Sequence, residues 1–307
     1  MKRSLPTSFA NAPVPRQRGF TLIEVVIVIT VTAIIGAAVA IFIRMPVRSY
    51  VDSAARADLV DTGDTALRRM ARDLRLALPS SVRVNTDGSG ASYIELLLTR
   101  TGGRYLASED GPVGGNVLDF TSPSGNGNLK FDIIGPIAPS LEQTIQPGDS
   151  VVVFNLGPGA IPGDAYQTSG EMNRVAIAGI SGPTITMASP SPFGTFSLQS
   201  PSHRFQVISG PVTYRCAPNA GNPTAGTLTR YWNYTIAATQ PTSVAGLTTG
   251  SGAQSALMAI GVSSCSFSYA KNSMSSALAV LDIQLVSGDS GSSTVGLFEQ
   301  VHVDNTP

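Results

Sequence analysis

Arg16-Gln-Arg-Gly-Phe20-Thr-Leu-Ile-Glu24 leads without a break into Val25-Val-Ile-Val-Ile-Thr-Val-Thr-Ala-Ile-Ile-Gly-Ala-Ala-Val-Ala-Ile-Phe-Ile43. Counted inclusively, 43 − 25 + 1 gives 19 residues without a charge. At ~1.5 Å per helical residue they approach the ~30 Å hydrocarbon core of a bilayer, so the run reads as a membrane-spanning helix. Lys2, Arg3, Arg16 and Arg18 precede it and no acid stands among residues 1–19. The positive-inside bias therefore keeps the N-terminus in the cytoplasm and exports the remainder. Glu24 sits at the cytoplasmic-side edge of the apolar run, where an unpaired carboxylate costs about 3 kcal/mol unless it stays in the headgroup zone or meets a cation. A cut after Gly19 would create an α-amino group on Phe20. The amine of a neighbouring subunit would then answer Glu24 and register helix packing.

A secretory signal peptide is the competing reading of residues 1–45. Against it, Ala38-Val39-Ala40 is followed by the still apolar Ile41-Phe42-Ile43, and a helical pattern continues beyond. Val51, Ala55, Leu59, Gly63, Leu67, Met70, Leu74 and Leu78 recur every three or four residues and lay one apolar stripe along a helix. Opposite lie Asp52, Arg56, Asp58, Asp61, Asp64, Arg68, Arg69, Arg72, Asp73 and Arg75, with Asp52–Arg56, Asp64–Arg68 and Arg69–Asp73 as (i, i+4) pairs. Pro46 is expected to interrupt the helix where it leaves the bilayer, and Pro79 to end it. The prediction is one helix over residues 20–78, membrane-embedded to about residue 45 and amphipathic beyond.

Past Pro79 the period changes from 3.6 to 2. Candidate strands are Tyr93–Thr99, Val117–Phe120, Leu129–Ile134, Ser150–Leu156, Arg174–Ile180 and Thr184–Ala188. Further candidates are Arg204–Ile208, Val212–Cys216, Leu228–Ile236, Ser264–Tyr269, Ala279–Val286 and Val295–Val303. Breakers at 87–90, 124–127, 157–159 and 287–291 read as turns, not phosphate loops, since none links a strand to a helix. Only 13% of residues are charged, against 31 Gly and 21 Pro, which suits a turn-rich, strand-rich exported domain over residues 79–307. Twenty basic and twenty acidic residues balance, and no basic patch with interleaved aromatics argues for nucleic acid. In an exported head Cys216 and Cys265 persist as a disulfide, closing a loop of roughly 50 residues worth about 3 to 4 kcal/mol.

Arg-Gly-Phe-Thr-Leu-Ile-Glu-Val-Val resembles the class III signal of type IV pilins and type II secretion pseudopilins. The resemblance implies cleavage of residues 1–19 after Gly19 by a prepilin peptidase, N-methylation of Phe20, and an assembly role for Glu24, five residues into the mature chain. The leader, with Pro6, Pro13 and Pro15, is longer than that of many major pilins, and 307 − 19 leaves 288 mature residues. It implies the type IV pilin fold, an α+β arrangement with a long N-terminal helix packed on an antiparallel β-rich head. A second, patchier resemblance covers Arg204-Phe-Gln-Val, Gly210-Pro-Val-Thr-Tyr-Arg-Cys216, Arg230-Tyr-Trp-Asn-Tyr234, Val262-Ser-Ser-Cys-Ser-Phe-Ser-Tyr269 and Gln300-Val-His-Val-Asp-Asn-Thr-Pro307. These segments are similar to the O-type minor pilins of the mannose-sensitive haemagglutinin (MSHA) pilus, which share size and layout with J-type minor pseudopilins. The implied partners are the peptidase, other minor and major pilins, an inner-membrane assembly platform and membrane lipid. A minor pilin of a priming or tip complex is the expected function, with a type II secretion pseudopilin as the alternative.

Chemistry in the head is weakly signalled. His203 and His302 stand far apart in sequence without neighbouring ligand types, and no catalytic, cofactor or metal residues are expected. Glu109-Asp110 and Asp289 lack the alternating oxygens of a calcium loop and read as solvated turns. Trp232 and Tyr234 are expected on one strand face, in core packing rather than as a sugar platform. A membrane-tethered enzyme or glycan-binding adhesin is the reading from another class, and it would need a polar pocket or an exposed aromatic platform around Trp232.

Overall fold

The computed structural model describes residues 19–110, 114–121, 129–136, 143–194, 198–273, 275–287 and 293–307. Helix α1 runs from Leu22 to Arg75. Thr21 caps it, its hydroxyl accepting from the Glu24 backbone N–H at 3.3 Å. Within the apolar run the Thr30 and Thr32 hydroxyls donate back to the Val26 and Val28 carbonyls at 2.7 and 2.6 Å, which satisfies them without any partner outside the helix. The expected break at Pro46 does not occur: Pro46 lies inside α1. Losing a single N–H from a long ladder can bend a helix without ending it. Helical geometry stops at Arg75, short of Leu78, because the next residues bond to a strand instead. The Leu78 N–H donates to Leu97 O at 2.8 Å and the Thr99 N–H to Leu76 O at 2.9 Å.

Two compact units meet in sequence at Ser53 and Ala54. The second begins with the C-terminal part of α1 and continues through twelve strands. They are β1 (Arg83–Thr86), β2 (Ser92–Tyr105), β3 (Lys130–Ile134), β4 (Ser150–Val152), β5 (Arg174–Ser181) and β6 (Thr184–Met187). The chain goes on through β7 (Arg204–Ala217), β8 (Thr227–Trp232), β9 (Gln254–Ile260), β10 (Val262–Lys271), β11 (Ser276–Val286) and β12 (Thr294–Asp304). The architecture is α+β, a long N-terminal apolar helix followed by an antiparallel β head, and it is consistent with the type IV pilin fold.

Strands β2 and β7 pair along nearly their whole length, Ser92 opposite Cys216 and Arg104 opposite Arg204. One end of this ribbon is flanked by β1 and by β8–β9. At the other end β3, β6, β5 and β4 link β2 back to β7 and close a ring of six strands. Tyr105, Phe131, Val151, Val175, Ile185 and Phe205 form the ring's own core. Strands β10, β11 and β12 make a separate antiparallel sheet. Between this sheet and the β2–β7–β8 face lies the C-terminal part of α1, which buries Ala66, Leu67, Met70, Ala71 and Leu74 against Ile94, Tyr214, Leu281 and Val301 among others. Gly63 is where α1 comes closest to the small sheet: an added Cβ would lie 2.1 Å from Leu297 Cδ1 and 3.0 Å from Leu285 Cδ1.

Several strand expectations are corrected. Arg204–Ile208 and Val212–Cys216 are one strand, because Gly210 takes a φ of 138° and the ladder shifts register there without breaking. Val117–Phe120 is not a strand; residues 116–119 make only scattered backbone bonds, such as the Leu118 N–H to Leu106 O at 3.0 Å. Strand β8 stops at Trp232 because Asn233 adopts a φ of 58°. The short β1 and the sheet-edge β9 lack a clean apolar alternation and escape a reading by period. The expected turns at 124–127 and at 288–291 lie outside the described residues.

Candidate assembly site

Gly19 and Phe20 precede α1 as exposed backbone, and among the described residues nothing stands within 4 Å of where a Gly19 Cβ would be. Phe20 is 80% exposed. Glu24 lies in the first turn of α1, where the helix dipole favours a negative charge, and its side chain is exposed. Among the described residues the following apolar run stands exposed: Ile29, Ile34, Ile41 and Phe42 are 62%, 65%, 65% and 82% exposed. By length and composition this part of α1 can cross a membrane. Gly36, Ala37, Ala38 and Ala40 make one stretch of it thin enough for a close neighbour.

Residues 14–40 match the family described as prokaryotic N-terminal methylation motif. The chain carries a prepilin-type signal. That motif supports a type IV pilin or pseudopilin subunit, a class of structural proteins processed by a prepilin peptidase, and with the apolar helix it supports membrane anchoring. No curated protein and no solved structure is significantly similar to this pilin-like chain.

In the head, Cys216 on β7 and Cys265 on β10 form a disulfide with a Cα–Cα distance of 6.4 Å, tying the large sheet to the small one. Two buried charge clusters accompany it. Asp73, which the helical pattern puts on the polar side, is 5% exposed. Its Oδ2 accepts from Arg230 Nε at 2.8 Å and from the Tyr214 hydroxyl at 2.7 Å, and the Arg230 guanidinium lies 4.7 Å from the Trp232 ring centroid. So Asp73 pairs with β8 rather than serving only its own helix. Burial and the nearby Asp73 carboxylate raise the Tyr214 pKa well above the usual phenol range. The second cluster centres on Glu95, fully buried, which accepts from Arg83 Nε at 2.6 Å and from the Tyr234 hydroxyl at 2.7 Å. Arg83 also lies 3.6 Å over the Tyr166 ring. Burial raises the Glu95 pKa against the opposing pull of Arg83 and Tyr234.

Trp232 and Tyr234 do not share a face. The left-handed Asn233 turns the chain between them: Trp232 packs on the helix-facing core, while Tyr234 joins Tyr93, Tyr231 and Leu247. His203 precedes β7 with its ring 5.6 Å from that of Tyr105, and His302 is exposed on β12. Asp110 bonds to Arg104 and accepts from the Ala107 N–H at 2.9 Å. Asp289 lies outside the described residues, and among the described residues no three His, Cys, Asp or Glu side chains gather as metal ligands would. The buried pairs were missed because charges count as solvated by default. Arg230 did carry a signal, since it alternates with Leu228 and Trp232 on one face of β8 and so puts a cation on an apolar side.

Proposed function

We propose that this chain is a minor pilin of an MSHA-type type IV pilus, cut after Gly19, methylated on Phe20 and built into the priming or tip complex. The observation that carries the reading is the order of features at the N-terminus: a basic leader, Gly19-Phe20, then Glu24 on the edge of a charge-free helical run that stands exposed among the described residues. In this reading residues 20–45 cross the inner membrane with the leader in the cytoplasm, and the head stands in the periplasm. Glu24 pairs with the Phe20 amine of the next subunit and so sets the register between helices. The C-terminal segments around Cys216 and Cys265 support the O-type assignment by resemblance. A type II secretion pseudopilin uses the same N-terminal chemistry. Deleting this gene in its own host separates the two: loss of surface pili supports the pilin, and loss of protein secretion with pili intact supports the pseudopilin.

Mass analysis of the N-terminus tests the processing. The expected peptide begins with methylated Phe20; a chain still starting at Met1, or starting past Ile43, would end the proposal. With Glu24→Ala, processing is expected to persist while incorporation into fibres is lost, and normal fibres from that variant would refute the pairing.

A further inference from the structure

At the ring end of their ribbon, β2 and β7 pair Gly102 with Gln206, Gly103 with Phe205 and Arg104 with Arg204. Alternation along a strand divides these pairs between two faces. Gly103 and Phe205 turn inward: Phe205 is 2% exposed, and a Cβ on Gly103 would lie 3.1 Å from Phe205 Cε1. The other two pairs share the outer face, where Gly102, Arg104 and Arg204 are exposed and Gln206 is half-buried. A Cβ on Gly102 would meet Phe205 O at 2.9 Å, so this position admits no side chain. It becomes the floor of an open concavity of about 630 Å³, walled by Arg104, Arg204 and Gln206 and by Ser202 and His203 from the preceding turn.

The register costs the fold something. Like charges directly opposite each other on an antiparallel pair repel. Asp110 answers Arg104, whose guanidinium also reaches toward His203 Nδ1 at 3.4 Å. Glu109 stands 3.8 Å from His203 Nε2, and neither acid lines the concavity. Among the described residues no carboxylate pairs with Arg204. The wall thus holds one guanidinium without a protein acceptor and a second that uses only one of its nitrogens on Asp110. A local conflict that returns nothing to stability is expected where a surface serves a ligand.

We propose that this concavity binds an acidic saccharide, a uronate carboxylate lying between Arg204 and Arg104 and the neighbouring ring hydroxyls meeting Gln206 and Ser202. The charge count favours a carboxylate over a phosphate ester. Asp110 cancels one of the two guanidinium charges and leaves one, which matches a carboxylate, whereas a phosphate monoester brings roughly −1.5 to −2. The lining favours a sugar over an acidic peptide. A peptide would need an apolar anchor pocket or an unpaired strand edge, but Phe205 faces the core and β2 and β7 are paired to each other here. The Gln206 carboxamide both donates and accepts, as sugar hydroxyls do. The site belongs to the head alone, so its failure leaves the pilin reading untouched.

The test titrates the detergent-solubilised full-length chain by calorimetry at physiological salt. The probes are galacturonate trimer, the same trimer fully methyl-esterified, and triglutamate. The galacturonate trimer is expected to bind, and the ester and the peptide at least about tenfold more weakly, since the ester loses the charge and the peptide the hydroxyls. R204Q is expected to weaken trimer binding about tenfold by removing one charge-assisted fork. K130Q removes the same charge from an exposed position on β3 outside the concavity, and should bind as wild type does. R204Q should also unfold no earlier than wild type, because it relieves a repulsion. Absence of trimer binding, or equal binding of the ester, would overturn the proposal. Equal binding of triglutamate would make the site one for acidic peptides and overturn the saccharide assignment. An equal loss in K130Q would reduce the effect to overall charge, and earlier unfolding of R204Q would make Arg204 a structural residue; either result also overturns it.

Discussion

Helix α1 contains two apolar stretches that meet opposite fates. Between Val25 and Ile43 the side chains are apolar all round and stand exposed, whereas between Ala66 and Leu74 apolar residues occupy one stripe and are buried almost completely. The periodicity explains the difference. An all-round surface cannot be covered by one sheet face and suits lipid or several neighbouring helices, while a stripe fits a groove between two sheets. Within one continuous helix, then, the first stretch stands exposed among the described residues, while the second is buried by the chain itself.

Substitutions in the second stretch should therefore affect folding of the head, and those in the first should not. Unfolding of the full chain in detergent can be followed through Trp232, the single tryptophan, which sits beside the buried Arg230. The largest loss is expected for Asp73→Leu, about 4 kcal/mol, because it leaves Arg230 buried without its carboxylate and the Tyr214 hydroxyl without an acceptor. Adding Arg230→Leu is expected to recover most of that loss, since an apolar pair costs less than a lone buried charge. A double variant as unstable as the single would show that the pair is not the source. Next comes Leu74→Ala, fully buried, at about 3 kcal/mol. Its counterpart Ile35→Ala, 57% exposed, should leave the transition where it was. Equal effects from the two would abolish the distinction between the stretches.

Much of this contrast can be read directly from residue order. The charge-free run, the stripe from Gly63 to Leu74 and most strands follow from the spacing of apolar residues. What spacing does not encode is where a strand finds its neighbour. The closure of β3 to β6 onto the β2–β7 ribbon depends on long-range pairing, and β7 looks like two strands until Gly210 is seen to let the ladder run on. Asp73 and Glu95 illustrate the other limit. A carboxylate on a helix or strand looks the same in sequence whether water or a buried arginine answers it, and only the fold brings Arg230 and Arg83 within 3 Å. The N-terminal signal is local, so the motif over residues 14–40 was legible in the residue order.

The smallest effect tests the head's acid response. Asp87 closes the turn between β1 and β2: its Oδ1 accepts from the Ser89 hydroxyl at 2.6 Å and from the Ser89 and Ala91 N–H groups at 2.9 and 3.0 Å, and its Oδ2 from the Tyr93 hydroxyl at 2.9 Å. These bonds, the Ser89 hydroxyl first, hold its pKa down to about 2 from 3.8. A lowered carboxylate pKa means the folded state prefers the ionised form. Its contribution is fully present above the unfolded value and fades as pH falls through about 2. Asp87→Asn should thus lower the unfolding midpoint at pH 6 and progressively less below pH 3.8, with the two proteins converging near pH 2. Glu95 acts in the opposite sense, because burial raises its pKa: the stability it adds is present below about 4.5 and disappears as pH rises past its folded value. Asp87→Asn leaves Glu95 intact, so subtracting the two pH profiles isolates the turn, and a constant difference from pH 6 to pH 2 would show that Asp87 is not the group that titrates.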